Sequence, residues 1–106
     1  LRGVLGETVI QFPVADAKTP ADGLARAEAF IKAFKGDTLI VPAVAPHAIY
    51  TNDGPSLTAA RALSVKYNVP TLIHVAETQD ETKTANERFA ESPVAYLDKA
   101  RPRAWV

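Results

Sequence analysis

Two polar side chains stand where an apolar run of this sequence ends. The stretch PTLIHVAETQDETK, residues 70–83, places a histidine inside the run and a carboxylate three residues later. Residues 71–76 are predicted to form a buried strand, so His74 lies near its carboxyl end, where α/β proteins place their sites. A neutral imidazole there is a good ligand for a divalent metal ion. The alternative is a buried histidine bonded to a backbone carbonyl, because a lone histidine carries no ligand spacing.

Glu77 falls in the predicted loop between this strand and the next helix. Thr78 and Glu81 are predicted to form a capping box that opens the helix, so Glu81 has a structural role there and Glu77 has none. A carboxylate beside a metal site could carry protons between a metal-bound water and a substrate. The alternative is an exposed loop carboxylate, stabilised by the positive end of the helix.

A second histidine, His47, follows the preceding predicted strand in the sequence APHAIYT. It also stands at a strand's carboxyl end, where it could hydrogen-bond a substrate across the mouth of the sheet. The alternative is an exposed loop histidine. Tyr50 and Thr51 are weaker candidates, and Tyr50 is expected to pack with its hydroxyl at the surface. Asn52 or Asp53 is expected to cap a helix.

The elements that must position these residues alternate between strand and helix. The predicted strands cover residues 2–12, 38–46 and 71–76, and residues 101–106 could begin another. The predicted helices begin at Thr19-Pro20, near Pro55, after Thr78 and at Ser92-Pro93, with Gly36 and Asn68 as C-terminal caps. Pro42 is an awkward residue inside a strand, because it lacks the N–H group. This order is typical of βαβ units and predicts an α/β fold with a parallel sheet.

Composition excludes several classes of function. The chain has 106 residues, enough for one small domain, and its 12 basic residues balance its 12 acidic ones, so neither nucleic acid nor an anionic membrane is a predicted partner. The absence of cysteine excludes disulfides and thiolate metal sites and is compatible with the cytoplasm. No apolar run approaches the about 20 residues of a membrane span. Motifs for nucleotide phosphates and serine hydrolysis are missing.

Three segments together resemble the amidohydrolase superfamily. They are VAPHAIYT (44–51), PTLIHVAET (70–78) and ESPVAYLD (91–98). The most similar branch is that of the metal-dependent aminohydrolases, which includes S-adenosylhomocysteine/methylthioadenosine deaminase, guanine deaminase and triazine chlorohydrolases. The resemblance covers nearly the whole chain and is weakest over residues 1–20. It implies a segment of a (β/α)8 TIM barrel, with residues 1–106 as the central part of that barrel domain.

The resemblance also implies a role for each site residue. His74 matches the metal-ligand histidine at the end of the barrel's fifth strand. Glu77 matches the glutamate that binds the heterocycle and passes protons, and His47 matches a substrate-binding histidine. The implied cofactor is one divalent ion, zinc in the first place and iron as the alternative, which activates a water for attack on a nitrogen heterocycle. Ammonia or chloride would leave, and a homodimer is the implied assembly.

The chain also departs from the pattern of that family. The chain contains two histidines only, so the family's His-x-His pair and its further histidine are missing. The family's metal-binding aspartate is missing as well. Glu7 and Leu24 fall near positions where deaminases of adenosyl substrates carry arginines. We therefore expect these residues to be part of a longer enzyme, or a truncated reading frame, and the isolated 106-residue chain to be inactive.

Two alternatives of other classes remain open. A slice of a barrel exposes unpaired sheet edges and an apolar face, so the chain could be a non-catalytic α/β module that self-associates. Metal content separates this module from the enzyme, which should carry about one divalent ion per chain. A self-contained flavodoxin-like domain is the weaker alternative, because it needs five strands and the pattern places three firmly.

Overall fold

The computed structural model describes residues 1–99, which contain two paired parallel strands and four helices. In chain order the elements are β1 (Gly3–Val9), α1 (Pro20–Phe34), β2 (Ile40–Pro46), α2 (Gly54–Tyr67), α3 (Gln79–Phe89) and α4 (Pro93–Lys99). The predicted α/β class with parallel strands is confirmed. The strand predicted at 101–106 lies outside the described residues. None of the helices in residues 1–99 is long and apolar enough to cross a membrane.

The two strands pair in parallel over all seven residues of each, and both are shorter than predicted. β1 ends at Val9, because the N–H of Gln11 bonds to the carbonyl of Thr51 at 2.9 Å and leaves the ladder. β2 begins at Ile40 because the Asp37 carboxylate accepts two backbone N–H groups and holds the preceding residues in a turn. These two bonds also lower the pKa of the Asp37 carboxyl.

The prediction of a regular third strand over residues 71–76 is wrong. The segment lies beside β2, but only Thr71 forms a bridge, parallel to Val44. The N–H of Leu72 donates to the Val44 carbonyl at 2.9 Å, and the ladder stops there. The described residues therefore provide two strands and one bridged segment, fewer than the five strands of a flavodoxin-like domain.

Pro46 explains why this ladder stops. Successive N–H groups of a strand point to opposite neighbours, so the next donor of β2 toward the bridged segment would be Pro46, which has no N–H. The N–H of His74 bonds instead to the carbonyl of His47 at 3.0 Å, one residue out of step with the ladder. Pro42 has its nitrogen on this same edge of β2, so it removes no donor from the pairing with β1.

Two clusters of buried apolar side chains hold the helices to the sheet. The first consists of Val9, Ile31, Val44 and Ala60 and lies under α1 and α2. The second consists of Ile49, Leu57 and Ala85, and the partly buried Ile73, Phe89, Tyr96 and Leu97 pack against it. Full burial of one Val, Leu or Ile side chain contributes about 1.5–3 kcal/mol. The first cluster therefore fixes α1 and α2 on one face of the sheet, and the second packs α3 and α4 against α2 and the bridged segment.

The helix ends form largely as the local sequence predicts. Thr19 caps α1, and Asp53 caps α2 by accepting the N–H of Ser56 at 2.8 Å. Hydrogen bonds from Ser56 lower the pKa of the Asp53 carboxyl. Asn68 ends α2 in the left-handed conformation, at φ 53°. Gly36 is not the cap residue, because α1 ends at the extended Lys35, and Gly36 follows at φ 82°.

The sheet face opposite the helices is apolar and open in the part of the chain that the structure describes. Val4 and Val41 are partners in the parallel pair, and they are 49% and 48% exposed. Leu72 of the bridged segment is 40% exposed. An uncovered surface of this kind is typical of a contact with further polypeptide.

Candidate functional site

The predicted site residues meet at the carboxyl-terminal edge of the sheet. His47 follows β2 directly, and its ring lies edge-on to the ring of His74, with 5.4 Å between the centroids. Glu77 is joined to this pair through Tyr50, whose ring lies 5.8 Å from that of His47 and whose hydroxyl reaches the Glu77 carboxylate. The structure thus brings together two histidines and one carboxylate from two separate loops.

His47 is held through its backbone and its ring. Its N–H donates to the carbonyl of Val9 at 3.0 Å, which continues the β1–β2 ladder by one residue. Its Nδ1 lies 2.9 Å from Oγ1 of Thr51, a residue that is 6% exposed. Thr51 Oγ1 in turn donates to the carbonyl of Ala48 at 3.2 Å. The exposed-loop alternative for His47 is therefore wrong, since the ring is partly buried and anchored.

The side chain of Asn52 anchors the loop that carries His47 through two hydrogen bonds. Its Nδ2 donates to the carbonyls of Val9 at 3.1 Å and Ala48 at 3.2 Å, and the residue is 4% exposed. The sequence offered Asn52 only as a possible helix cap, and that role belongs to Asp53. The signal that could have identified Asn52 is the run of short polar residues 51–53 in the loop between a strand and a helix, where such side chains bond to local backbone groups.

The turn before α3 aims the carboxylate of Glu77. Ala76 has a left-handed backbone at φ 52°, which turns the chain between His74 and Glu77. The N–H of Glu77 donates to Glu81 Oε2 at 2.7 Å, and the N–H of Glu81 donates to Thr78 Oγ1 at 3.1 Å. The predicted capping box is therefore half right. The Glu81 carboxylate holds the backbone of Glu77 instead of that of Thr78, because the left-handed turn brings Glu77 to it.

Tyr50 links the two loops of the site. Its hydroxyl donates to Glu77 Oε2 at 3.3 Å, although the residue is 42% exposed. Burial raises the pKa of the Tyr50 hydroxyl, and the nearby charge of Glu77 raises it further. The expected packing role of Tyr50 is thus incomplete, since its hydroxyl orients a candidate catalytic carboxylate.

A cleft opens beside the two histidines where the ladder of β2 ends. Its volume is about 510 Å³, and its lining includes Thr8, Ala45 and Leu72 in addition to both histidines. Pockets for small molecules have volumes of about 300–1,000 Å³ and combine apolar walls with a few polar groups. The cleft therefore has the size and the chemistry of a small-molecule site with imidazole groups on one wall.

The described residues fit part of a metal site. Within residues 1–99, no group of three or more His, Cys, Asp or Glu side chains is arranged to hold a metal ion. A catalytic zinc site takes three protein ligands. His74 is exposed at the cleft and suits one ligand position, and the neighbouring His47 is already bonded to Thr51. A complete metal centre needs ligands in addition to these.

Comparison with known proteins gives the family context. No family model matches the chain. The chain is 44% identical over 97 residues to the 5-methylthioadenosine/S-adenosylhomocysteine deaminase of Thermodesulfovibrio yellowstonii, an alignment that covers 92% of this chain and 22% of that protein. The Aquifex aeolicus protein of the same name is 37% identical over 98 residues, covering 92% of this chain and 23% of the relative.

A solved structure shows the same arrangement of elements. The adenosine deaminase from Xanthomonas campestris, solved with bound zinc, superimposes with a TM-score of 0.90 at 31% identity. The match covers 93% of this chain and 23% of the other. The chain is related to the deaminases of the amidohydrolase family. The resemblance seen in the sequence is thereby confirmed, and the chain spans less than a quarter of the length of these deaminases.

Proposed function

We propose that this chain is a segment of a metal-dependent hydrolase that deaminates a nitrogen heterocycle. The observation that carries the proposal is the His47–His74 pair at the edge of the sheet, with its ring centroids 5.4 Å apart and Glu77 on the adjoining turn. The relatives named above are deaminases of adenosine derivatives, which supports deamination over dechlorination. Both reactions replace a leaving group on a ring carbon by a hydroxyl group.

His74 would hold one divalent ion, zinc in the first place because the related Xanthomonas enzyme contains zinc. Such an ion supplies a water whose pKa is lowered toward neutrality. The imidazole of His74 is exposed at the cleft and its backbone is bonded to His47, so it offers a ring nitrogen from a fixed position. The other ligands would come from the rest of a longer polypeptide.

Glu77 would bind the heterocycle and transfer protons. Its Oε2 accepts the Tyr50 hydroxyl, which leaves Oε1 to face a ring N–H of the substrate. A carboxylate at this position can accept a proton from water and return it to the ring or to the leaving amine. His47 lines the cleft and would provide a second polar contact to the substrate.

The substrate we propose is a small heterocycle without an added carboxylate. Arginine would be needed to bind such a group bidentately. Arg26 is the arginine that α1 provides, and it is bonded to Glu7 at 3.3 Å and to Asp16 at 3.2 Å. Its charge is therefore compensated outside the cleft. Glu7 and Leu24 also stand near the positions where deaminases of adenosyl substrates carry arginines.

We also propose that residues 1–106 are the central part of a (β/α)8 barrel. Three parallel segments with helices on one face support this assignment, because an uncovered face of a parallel sheet is normally buried. In a barrel the open face of Val4, Val41 and Leu72 would turn to the interior, which is packed with apolar side chains. The cleft would then open at the catalytic end of the barrel.

A chimera tests the proposal. Residues 1–99 of this chain would replace the matching segment of the Thermodesulfovibrio yellowstonii deaminase, and ammonia release would be measured with 5-methylthioadenosine, adenosine and guanine. We expect a folded, zinc-containing chimera that releases ammonia, a Glu77→Gln variant that keeps zinc but loses at least about 100-fold in rate, and a His74→Ala variant that loses zinc. Asp80→Asn, in the first turn of α3, is the matched control and should retain activity. A zinc-loaded chimera without turnover would contradict the proposal.

The second candidate is the self-associating, non-catalytic module, and the exposed Val4, Val41 and Leu72 favour it. Light scattering and metal analysis of the purified 106-residue chain separate the two. A concentration-dependent oligomer without metal supports the module, whereas an intact mass well above 11.4 kDa for the protein purified from its natural source would show a longer enzyme. Inactivity of the isolated chain, homodimer formation and a cytoplasmic location remain predictions.

A further inference from the structure

The imidazole of His47 is held through one nitrogen by a buried hydroxyl group. Its Nδ1 lies 2.9 Å from Oγ1 of Thr51, which is 6% exposed. The backbone of His47 is bonded on both sides, its N–H to Val9 and its carbonyl to the N–H of His74, each at 3.0 Å. The ring orientation is therefore fixed, and Nε2 is the ring nitrogen left for a ligand in the cleft.

The direction of this hydrogen bond follows from the number of protons. A threonine hydroxyl carries one proton and two lone pairs. Thr51 Oγ1 also lies 3.2 Å from the carbonyl oxygen of Ala48, which can only accept. If the hydroxyl proton were given to His47, two oxygens would face each other with no proton between them. If the proton is given to Ala48, Nδ1 of His47 donates its own proton to Thr51, and both contacts are hydrogen bonds.

A neighbouring side chain does not disturb this arrangement. Asn52 Nδ2 also donates to the Ala48 carbonyl, at 3.2 Å. The backbone N–H of Thr51 also lies 3.4 Å from this oxygen, beyond the usual length of a hydrogen bond. The two shorter contacts, from Asn52 Nδ2 and Thr51 Oγ1, match the two lone pairs of the carbonyl oxygen, so these two bonds do not compete. The Thr51 hydroxyl donates its proton to Ala48, so toward His47 it can only accept a hydrogen bond.

We propose that Thr51 is a positioning residue that fixes neutral His47 as the Nδ1–H tautomer. The assignment of the tautomer is independent of the function proposed above. Only its consequence for the ligand rests on that function. Nε2 then presents a lone pair to the cleft, so the group that fits opposite it is a hydrogen-bond donor, such as an amino group on a heterocycle or a hydroxyl group. An unprotonated ring nitrogen of a ligand would place its lone pair opposite that of Nε2, so such a ligand is disfavoured.

The tautomer can be read directly by NMR on the full 106-residue chain. The probe is a long-range ¹H–¹⁵N correlation spectrum of the ¹⁵N-labelled chain, recorded with a chelator at a pH where both histidines are neutral. The chain has two histidines, so His74→Gln leaves the signals of His47 alone for assignment. We expect the wild type to show a protonated Nδ1 and a bare Nε2 at His47.

Two substitutions test the role of Thr51. Thr51→Ser keeps the hydroxyl and should keep the Nδ1–H form, whereas Thr51→Val removes the hydroxyl at nearly the same volume and should lose the preference. Thr51→Ala gives the same readout if valine disturbs the loop. A wild-type His47 protonated on Nε2, or an unchanged tautomer in the variants without a hydroxyl, would overturn the proposal. The result is independent of turnover, so an inactive chimera leaves it standing.

Discussion

The hydroxyl of Tyr50 donates a hydrogen bond to Glu77 Oε2 across 3.3 Å, and this contact joins the loop after β2 to the turn before α3. The bond depends on the phenol proton, because a phenolate would face a carboxylate. Burial and the charge of Glu77 both raise the pKa of Tyr50 above its ordinary 10.0, so the bond persists through the neutral pH range. The two loops of the candidate site are therefore coupled through one proton.

The first prediction concerns this coupling. Glu77→Gln should lower the pKa of Tyr50 toward 10.0 without fully restoring it, because the larger cause, burial, remains. Titration of the tyrosine Cζ signals by ¹³C NMR measures the shift. Asp80→Asn is the matched control, since Asp80 is an acid in the first turn of α3 and should leave the Tyr50 pKa unchanged. An equal fall in both variants would show a general charge effect instead of this contact.

The second prediction concerns the cap of α3. Thr78→Ala removes the hydroxyl that accepts the N–H of Glu81 and should lower the free energy of unfolding by about 1 kcal/mol. Thr58→Ala, at an exposed position within α2, should be neutral or slightly stabilising, because alanine is the better helix former. Urea unfolding followed by circular dichroism measures both variants. Similar losses in the two would argue against the cap.

The third prediction concerns two glycines of β1. A Cβ atom at Gly6 would lie 2.9 Å from Ala45 Cβ and 3.0 Å from the Ala43 carbonyl oxygen, whereas one at Gly3 would meet only the Leu5 side chain at 3.5 Å or more. Gly6→Ala should therefore cost about 1–3 kcal/mol through overpacking. Gly3→Ala should gain up to about 1 kcal/mol, because it reduces backbone freedom of the unfolded chain. Urea midpoints in the reverse order would contradict the β1–β2 pairing.

The fourth prediction concerns acid stability. The carboxylate of Glu28 accepts the Tyr67 hydroxyl at 2.5 Å and the Lys66 ammonium at 2.9 Å, and these bonds lower its pKa from 4.5 to about 2. A lowered folded-state pKa stabilises the folded chain above pH 4.5, and this contribution is lost as the pH falls toward 2.

Glu28→Gln should therefore be less stable than the wild type at pH 7, and the difference should shrink as the pH falls from 5 to 2. Urea midpoints across this range measure it, and Glu87→Gln, an exposed carboxylate on α3, is the control. Because Glu28 lies at the surface, the difference should also shrink in 1 M salt. A constant difference between wild type and variant at all pH values would contradict the link to Glu28 ionisation.

The helix ends were the most predictable part of the fold. Thr19, Asp53 and Thr78 cap helices through bonds to residues three positions later, so the local sequence contains all the information needed. The third strand was less predictable, because the effect of Pro46 depends on which neighbour its nitrogen faces. That direction follows from the register of the strands, which an apolar run does not reveal.

The sequence predicted where the site lies, but it did not predict the hydrogen bonds that hold the site together. His47, His74 and Glu77 follow from the position of polar residues at strand ends. The bond from Asn52 to the Val9 carbonyl joins residues 43 positions apart, and the Tyr50–Glu77 bond joins residues 27 positions apart. Contacts at such separations depend on how the strands pair, so no local pattern indicates them.

Pro46 has one more consequence, for the way in which the two imidazoles can move. The missing proline proton shifts the His74 N–H onto the carbonyl of His47, so the two histidines are carried on directly bonded peptide groups. A displacement of either loop therefore acts on the other histidine through this peptide hydrogen bond. The imino acid beside the site thus links the two histidines through their main chains in addition to the contact between their rings.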